Sequence, residues 1–178
     1  SKNTASKRLE LFNPPIAYHA FTQQPTGSRF GGDALFNGEN RRRGAAISYY
    51  INKPKAKKGK KSKTADKATD KKAVKWDSIK LEIFDGTRLI RTLKQKAPKE
   101  NGVHKMYWGM SEKGVSGPSR SIRKSRREPR GVRAKPGTYQ LKMSFGNVVS
   151  TQNITVALDP RIDMSVEEFT GRYATLKS

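Results

Sequence analysis

Residues 78–93, SIKLEIFDGTRLIRTL, contain the pattern that decides the fold. Apolar and charged residues alternate from Ile79 to Ile83, and such alternation is typical of a β-strand with one buried face. Asp85-Gly86 comes next and is followed by a second apolar stretch, RLIRTL. An Asp-Gly pair between two strand patterns predicts a β-hairpin, closed by a tight type I′ turn with positive φ at both central residues.

Four other stretches resemble strands. GAAISYYI (44–51) is short and rich in β-forming residues, and GVHKMYWGM (102–110) combines apolar and aromatic residues. TYQLKMSF (138–145) alternates after a Pro-Gly turn, and VVSTQNITVALD (148–159) alternates after a Gly-Asn turn. About six strands joined by turns or polar loops over residues 44–160 predict an all-β fold, an immunoglobulin-like antiparallel β-sandwich.

Tyr139 stands directly after the Pro136-Gly137 turn. Its alternation with polar neighbours favours an ordinary core aromatic. The alternative is a corner tyrosine, whose hydroxyl bonds back to the backbone beside the turn.

Much of the positive charge is concentrated in two loops. The chain has 38 Lys and Arg against 15 Asp and Glu, a net charge of +23; residues 53–75 carry +9 and residues 120–135 carry +7. Neither stretch contains an aromatic residue, so we expect flexible basic loops at 52–76 and 111–135. Because Lys and Arg bind phosphate and other anions, these loops are candidate polyanion-binding segments. The candidate residues are Lys57, Lys58, Lys60, Lys61, Lys63, Arg123, Lys124, Arg126, Arg127 and Arg130.

Residues 1–43 lack the strand pattern. They hold scattered aromatics without a period of 2 or 3.6 residues, and we expect an extended arm that lies on another surface.

The tail, residues 161–178, changes to a helical pattern. Ser165 and Glu168 have the spacing of a capping box. A helix this short must dock on the sandwich or on a partner to persist. Its predicted apolar face consists of Val166, Phe169, Tyr173 and Leu176. The candidate docking residues of arm and helix together are Phe12, Tyr18, Phe21, Phe30, Phe169 and Tyr173.

No pattern indicates a catalytic or metal centre. The sequence has no Cys, and His19 and His104 lie far apart without an acidic pair beside either. No nucleophile elbow, phosphate-binding glycine loop or HExxH motif is present. The acids have structural interpretations, Asp85 in a turn and Asp159 at a strand end. We therefore expect no catalytic residue, no metal and no cofactor, with His104 at the surface. No stretch is apolar enough to cross a membrane.

The order of motifs resembles the C-terminal region of large secreted bacterial proteins with BNR or sortilin-like β-propellers, often labelled glycosyl hydrolases. In that family an arm and an immunoglobulin-like module, similar to that of flagellar hook-capping proteins, follow the propeller. Where the family has Asp directly after the strand tryptophan, this chain has Gly109. The matching residues are Gly44, Ala45, Tyr49, Tyr50, Asp85, Gly86, Arg91, Thr92, Leu93, Trp108, Ala134, Pro136, Gly137, Thr138, Tyr139, Asp159, Pro160 and Arg161.

This resemblance implies a non-catalytic accessory domain of a secreted or cell-envelope protein. Its expected partner is the β-propeller of the same parent protein or another envelope protein, and any active site would lie in the propeller. The alternative function is a polyanion-binding module, for nucleic acid, acidic glycan or anionic membrane, that uses the two basic loops.

Overall fold

The computed structural model describes residues 6–19, 42–54, 76–115, 128–129 and 131–177. These ranges contain eight strands and one helix, α1 (Val166–Lys177). No helix in the described ranges is long and apolar enough to cross a membrane. The strands are β1 (Leu9–Leu11), β2 (Ala17–His19), β3 (Ala45–Ile51), β4 (Ser78–Asp85), β5 (Arg88–Lys96), β6 (Gly102–Trp108), β7 (Gly137–Phe145) and β8 (Val148–Leu158).

The strands form two sheets that pack as a sandwich, which confirms the predicted all-β fold class. One sheet has the order β1-β3-β6 and the other has the order β2-β8-β7-β4-β5. The chain crosses between the sheets from β3 to β4, from β5 to β6 and from β6 to β7. These crossovers give the Greek-key connectivity of an immunoglobulin-like sandwich.

The alternating apolar residues fill a single core between the sheets. Ile79, Leu81 and Ile83 of β4 are fully buried, and the residues between them are partly exposed. On the neighbouring strand, Leu141 and Met143 are also fully buried. The predicted period of two therefore matches the observed burial on both central strands.

The hairpin between β4 and β5 exists, but its predicted type I′ turn is wrong. A bulge at Ile90 of β5, opposite Ile83 and Phe84, shifts the register so that Asp85 pairs with Arg88. Gly86 and Thr87 are then the central residues, and of the two only Gly86 has a positive φ, of 59°. Glycine with positive φ at the first central position is the pattern of a type II′ turn.

Tyr139 is both a core aromatic and a corner tyrosine. Its ring is buried against Trp108, with the ring centroids 5.5 Å apart and an edge-to-face angle of 72°. Its hydroxyl donates a hydrogen bond of 2.7 Å to the carbonyl oxygen of Lys135. The two interpretations of the sequence thus describe two ends of one side chain, and the corner fixes the chain where it enters β7.

The described part of the arm pairs with both sheets. β1 lies antiparallel to β3, and β2 lies parallel to β8, so the sandwich is not purely antiparallel. Pro14 and Pro15 lie between the two arm strands. Because proline has no N–H to donate to a ladder, the chain leaves one sheet there before it joins the other.

Helix α1 begins with the predicted capping box. The Ser165 hydroxyl accepts a hydrogen bond of 3.1 Å from the Glu168 N–H, and the Glu168 carboxylate accepts one of 3.2 Å from the Ser165 N–H. The predicted apolar face is only half correct. Phe169 and Tyr173 are buried, whereas Val166 and Leu176 are 55% and 71% exposed. Only the two central positions of the predicted face are therefore covered by the sandwich.

The ends of the predicted loop 111–135 pair with each other, and we call these paired ends the loop stem. Ser111 and Arg133 form an antiparallel bridge. The Glu112 N–H donates to the Val132 carbonyl at 2.8 Å, and the Ala134 N–H donates to the Met110 carbonyl at 2.9 Å. The prediction of a flexible loop therefore does not hold for its base. Residues 116–127 and 130, and most of the lysine-rich loop, lie outside the described residues.

Candidate functional site

Helix α1 is held on the sandwich by a polar cluster around Glu112, which we call the helix anchor. The Glu112 carboxylate accepts two hydrogen bonds from the Arg88 guanidinium, at 2.7 and 3.2 Å. It also accepts one from the Tyr173 hydroxyl and one of 2.9 Å from Lys177 Nζ. Asp85 completes the anchor through a contact of 3.3 Å with Arg88. One carboxylate thus joins strand β5, the loop stem and the helix.

Local backbone geometry brings these side chains together. Arg88 is the first residue of β5, directly after the tight turn, and Glu112 lies in the loop stem, where its N–H bonds to Val132. Tyr173 and Lys177 are four residues apart and therefore share one face of α1. Lys177 also donates to the Tyr173 hydroxyl at 2.7 Å and lies over the ring, 5.0 Å from its centroid.

The electrostatics of the anchor keep Glu112 ionised. Burial opposes the charge of this carboxylate, but hydrogen bonds from Arg88, Lys177 and Tyr173 outweigh burial and lower the pKa of Glu112 to about 2. The same contacts raise the pKa values of Arg88 and Lys177, chiefly through their hydrogen bonds to Glu112. A carboxylate with so low a pKa does not release or take up a proton near neutral pH, so the anchor is suited to holding the helix.

His19 forms a second, mostly apolar contact under the helix. The imidazole is 3% exposed and stacks on the Phe169 ring, with the ring centroids 5.2 Å apart. Its Nε2 atom lies 2.8 Å from the Ala134 carbonyl oxygen, so this nitrogen carries the proton and donates it. Burial lowers the pKa of His19, and the hydrogen bond to Ala134 only partly offsets this. The neutral ring thus connects the end of β2 to α1 and to the loop stem.

A groove of about 450 Å³ runs between α1 and the loop stem. Its lining combines apolar side chains with two arginines. Val132, Met164, Phe169 and Leu176 supply apolar surface, while Arg133 and Arg172 supply charge. The groove has the volume and the mixed lining of a binding cleft.

The strand-ending Asp159 forms a local clamp. Its two carboxylate oxygens accept hydrogen bonds from the Arg161 side chain at 2.9 and 2.6 Å, and one also accepts from the Arg161 N–H at 3.1 Å. These hydrogen bonds lower the pKa of Asp159 to about 2. The Asp-Pro-Arg motif therefore has a role in the backbone turn after β8.

No group of three or more potential metal ligands occurs within the described ranges.

His104 is partly exposed, and its Nε2 atom donates to the Glu100 carbonyl at 3.0 Å. It lies beside the Tyr49 ring, 6.0 Å between centroids, on the edge strand of the smaller sheet.

The predicted docking residues divide into three groups. Tyr18 is 48% exposed on β2, and Phe12 is partly buried just after β1. Phe169 and Tyr173 are buried against the chain's own sandwich, so the exposed apolar side chains of the helix are Val166 and Leu176. Phe21 and Phe30 lie outside the described residues.

All ten predicted polyanion-binding residues also lie outside the part of the chain that the structure describes. They are Lys57, Lys58, Lys60, Lys61, Lys63, Arg123, Lys124, Arg126, Arg127 and Arg130.

Two residues that organise the helix contact were missed by sequence reasoning. Glu112 stands between Ser and Lys in a polar stretch, and no pattern in its neighbours indicates a carboxylate that accepts four hydrogen bonds from three partners. His19 lies in the arm, and its partners Ala134 and Phe169 are more than 100 positions away. Only the alternation of Ala17, Tyr18 and His19 could have indicated a buried histidine in a short strand.

Comparisons with protein-family models, with curated proteins and with solved structures find no match for this chain. The sortilin-like resemblance therefore stays a prediction.

Proposed function

We propose that this chain is a non-catalytic interaction domain that packs on a neighbouring folded unit. The observation that carries the proposal is the surface of β2, an edge strand of the larger sheet among the described residues. Ile16, just before it, and Tyr18 within it are 53% and 48% exposed. Large apolar side chains next to one another on an edge strand favour contact with another protein.

The surroundings of β2 support this interpretation. His19 connects β2 to helix α1 through Phe169, and Phe169 also lines the groove. Arm, helix and groove therefore belong to one continuous region of the molecule. The described carboxylates with strongly lowered pKa values, Glu112 and Asp159, hold structure together and are poorly suited to proton transfer.

The expected partner comes from the sequence resemblance alone. It is the β-propeller of the same parent protein, in a secreted or cell-envelope location, and any catalytic site would belong to that propeller. The second candidate function, polyanion binding through the two basic loops, rests on residues beyond the described ranges and remains the alternative.

The proposal is tested by mixing this chain with the β-propeller that the resemblance predicts for its parent protein and measuring binding by titration calorimetry. We expect a double substitution, Ile16→Ser with Tyr18→Ser, to weaken binding at least tenfold, because exposed aromatic residues dominate many interfaces. The matched control is Leu89→Ser with Val149→Ser, two side chains of similar exposure elsewhere on the sandwich. Equal losses in both variants, or no binding by the unmodified chain, would contradict the proposal.

A further inference from the structure

The larger sheet presents a lysine-rich surface to solvent. Buried and outward positions alternate along its central strands, so outward residues can be assigned from the register. Lys80 and Glu82 of β4, Lys94 and Lys96 of β5, and Lys142 of β7 point to the same side. We call this surface the lysine face. It carries four lysines and one carboxylate.

The strand register leaves most of this charge uncompensated. Lys80 and Lys94 are directly opposite each other on adjacent strands, an arrangement in which like charges are destabilising. Glu82 forms an ion pair of 2.6 Å with Lys80 on its own strand. Lys94, Lys96 and Lys142 form no ion pair with any described residue. Lys142 lies directly opposite Glu82 on the adjacent strand, whereas Lys94 and Lys96 have no acidic residue opposite them. The charges of Lys94 and Lys96 are therefore the least compensated on this surface.

The smaller sheet provides an internal comparison. Its outward positions include Glu10 of β1, Tyr50 of β3, and Val103, Lys105 and Tyr107 of β6. The strands contribute one lysine and one carboxylate to this surface; Lys7 forms an ion pair of 2.8 Å with Glu10, and Arg42 lies over the Tyr107 ring. The outer strand positions of the two sheets thus differ in lysine content, four against one, although the larger sheet also has outward aromatics, Phe84 and Tyr18, outside the lysine rows.

The polar neighbours of the lysines indicate the kind of anion. Thr92 and Thr151 lie in the same cross-strand row as Lys142, and Ser144 lies opposite Lys80. These two rows contain no outward aromatic residue on which a base could stack, unlike surfaces that bind single-stranded nucleic acid. Charges recur about 5 Å apart across strands and about 7 Å apart along a strand.

We propose that the lysine face binds a linear acidic polysaccharide. Lysine ammonium groups contact the sulfate or carboxylate groups of the polymer, and threonine and serine hydroxyls bond to its sugar hydroxyls. This surface is distinct from the two basic loops, and the proposal does not rest on the interaction with a propeller.

The experiment measures binding of the full chain to fluorescein-labelled dextran sulfate by fluorescence anisotropy at fixed salt. The variant Lys94→Gln/Lys96→Gln/Lys142→Gln removes three charges from the lysine face, two exposed and one, that of Lys142, partly buried. We expect it to bind dextran sulfate about tenfold more weakly, the combined effect of three solvent-exposed ion pairs. Unchanged circular dichroism and melting temperature establish that the variant is folded.

The matched control is Lys99→Gln/Lys105→Gln/Lys113→Gln, which removes the same charge from exposed positions elsewhere. We expect it to weaken binding less than threefold. Equal losses in the two variants would show that net charge alone drives binding and would overturn the proposal. Absence of binding by the unmodified chain, or the same dependence on the lysine face for a single-stranded DNA of similar length, would also overturn it.

Discussion

Replacement of Glu112 by glutamine tests the helix anchor directly. Glutamine keeps the shape of the side chain but removes the charge that Arg88 and Lys177 share. A pKa lowered from 4.5 to about 2 corresponds to at most about 3 kcal/mol in favour of the ionised form. Because the Arg88 and Lys177 side chains are 45% and 42% exposed, solvent screening reduces the expected loss of stability to about 1–2 kcal/mol.

The pH dependence of this loss has a definite sign. The folded-state pKa of Glu112 lies below its unfolded value, so the ionised anchor stabilises the protein fully above pH 4.5. This contribution is lost as the pH falls from 4.5 towards about 2. The stability difference between wild type and Glu112→Gln, measured by urea unfolding, should therefore be constant from pH 5 to 7 and fall to less than half at pH 3.

The matched control is Glu128→Gln, the same substitution at a more exposed ion pair. The Glu128 side chain is 46% exposed and contacts Arg91 at 2.8 Å, so its replacement should cost less than about 0.5 kcal/mol. Hydrogen exchange of the α1 amides should increase in Glu112→Gln and not in the control. A stability difference at pH 7 that persists unchanged at pH 3, or unaltered exchange in α1, would refute the argument.

Three further substitutions test other contacts. Tyr139→Phe should lower the free energy of unfolding by about 1–2 kcal/mol, because the Lys135 carbonyl loses its buried donor; an unchanged urea midpoint would contradict the corner assignment. Gly131→Ala should open the loop stem, since a Cβ there would lie 1.9 Å from the Glu112 carbonyl oxygen, and faster exchange of the Glu112 amide would report it. His19 has a lowered pKa, so the wild type should lose stability as the pH falls below 6.5. His19→Gln should flatten that part of the curve, and an identical slope in both proteins would count against a buried neutral imidazole.

The central strands could be predicted from the sequence because their pattern is local. Ile79, Leu81 and Ile83 alternate within one strand, and alternation alone determines which side is buried. The turn between β4 and β5 was harder, because its position depends on a bulge opposite Ile83 and Phe84. The bulge does not change the alternation of apolar residues along β4. The hairpin was therefore predicted correctly from the sequence, whereas the type of its turn was not.

The helix contact could be predicted only in part. Ser165 and Glu168 are three residues apart and interact within one turn, so the capping box was visible in the sequence. Glu112 and His19 were not, because their partners lie on other elements and are brought together only by the complete fold. Even the buried helix face depended on tertiary context, since Leu176 has the right helical spacing and is nevertheless exposed.

The parallel pairing of β2 with β8 has a consequence for how the chain acquires its structure. Ala17 pairs with Val156 and His19 pairs with Leu158. The contacts of β2 therefore cannot form until the chain has been closed over about 140 residues. Closing such long intervals slows folding, because ordering entropy is lost before the contacts form. During synthesis from the amino terminus, the arm has no β8 to bind until almost the whole domain has emerged. The edge strand that carries Tyr18 is therefore among the last parts of the sandwich to be assembled.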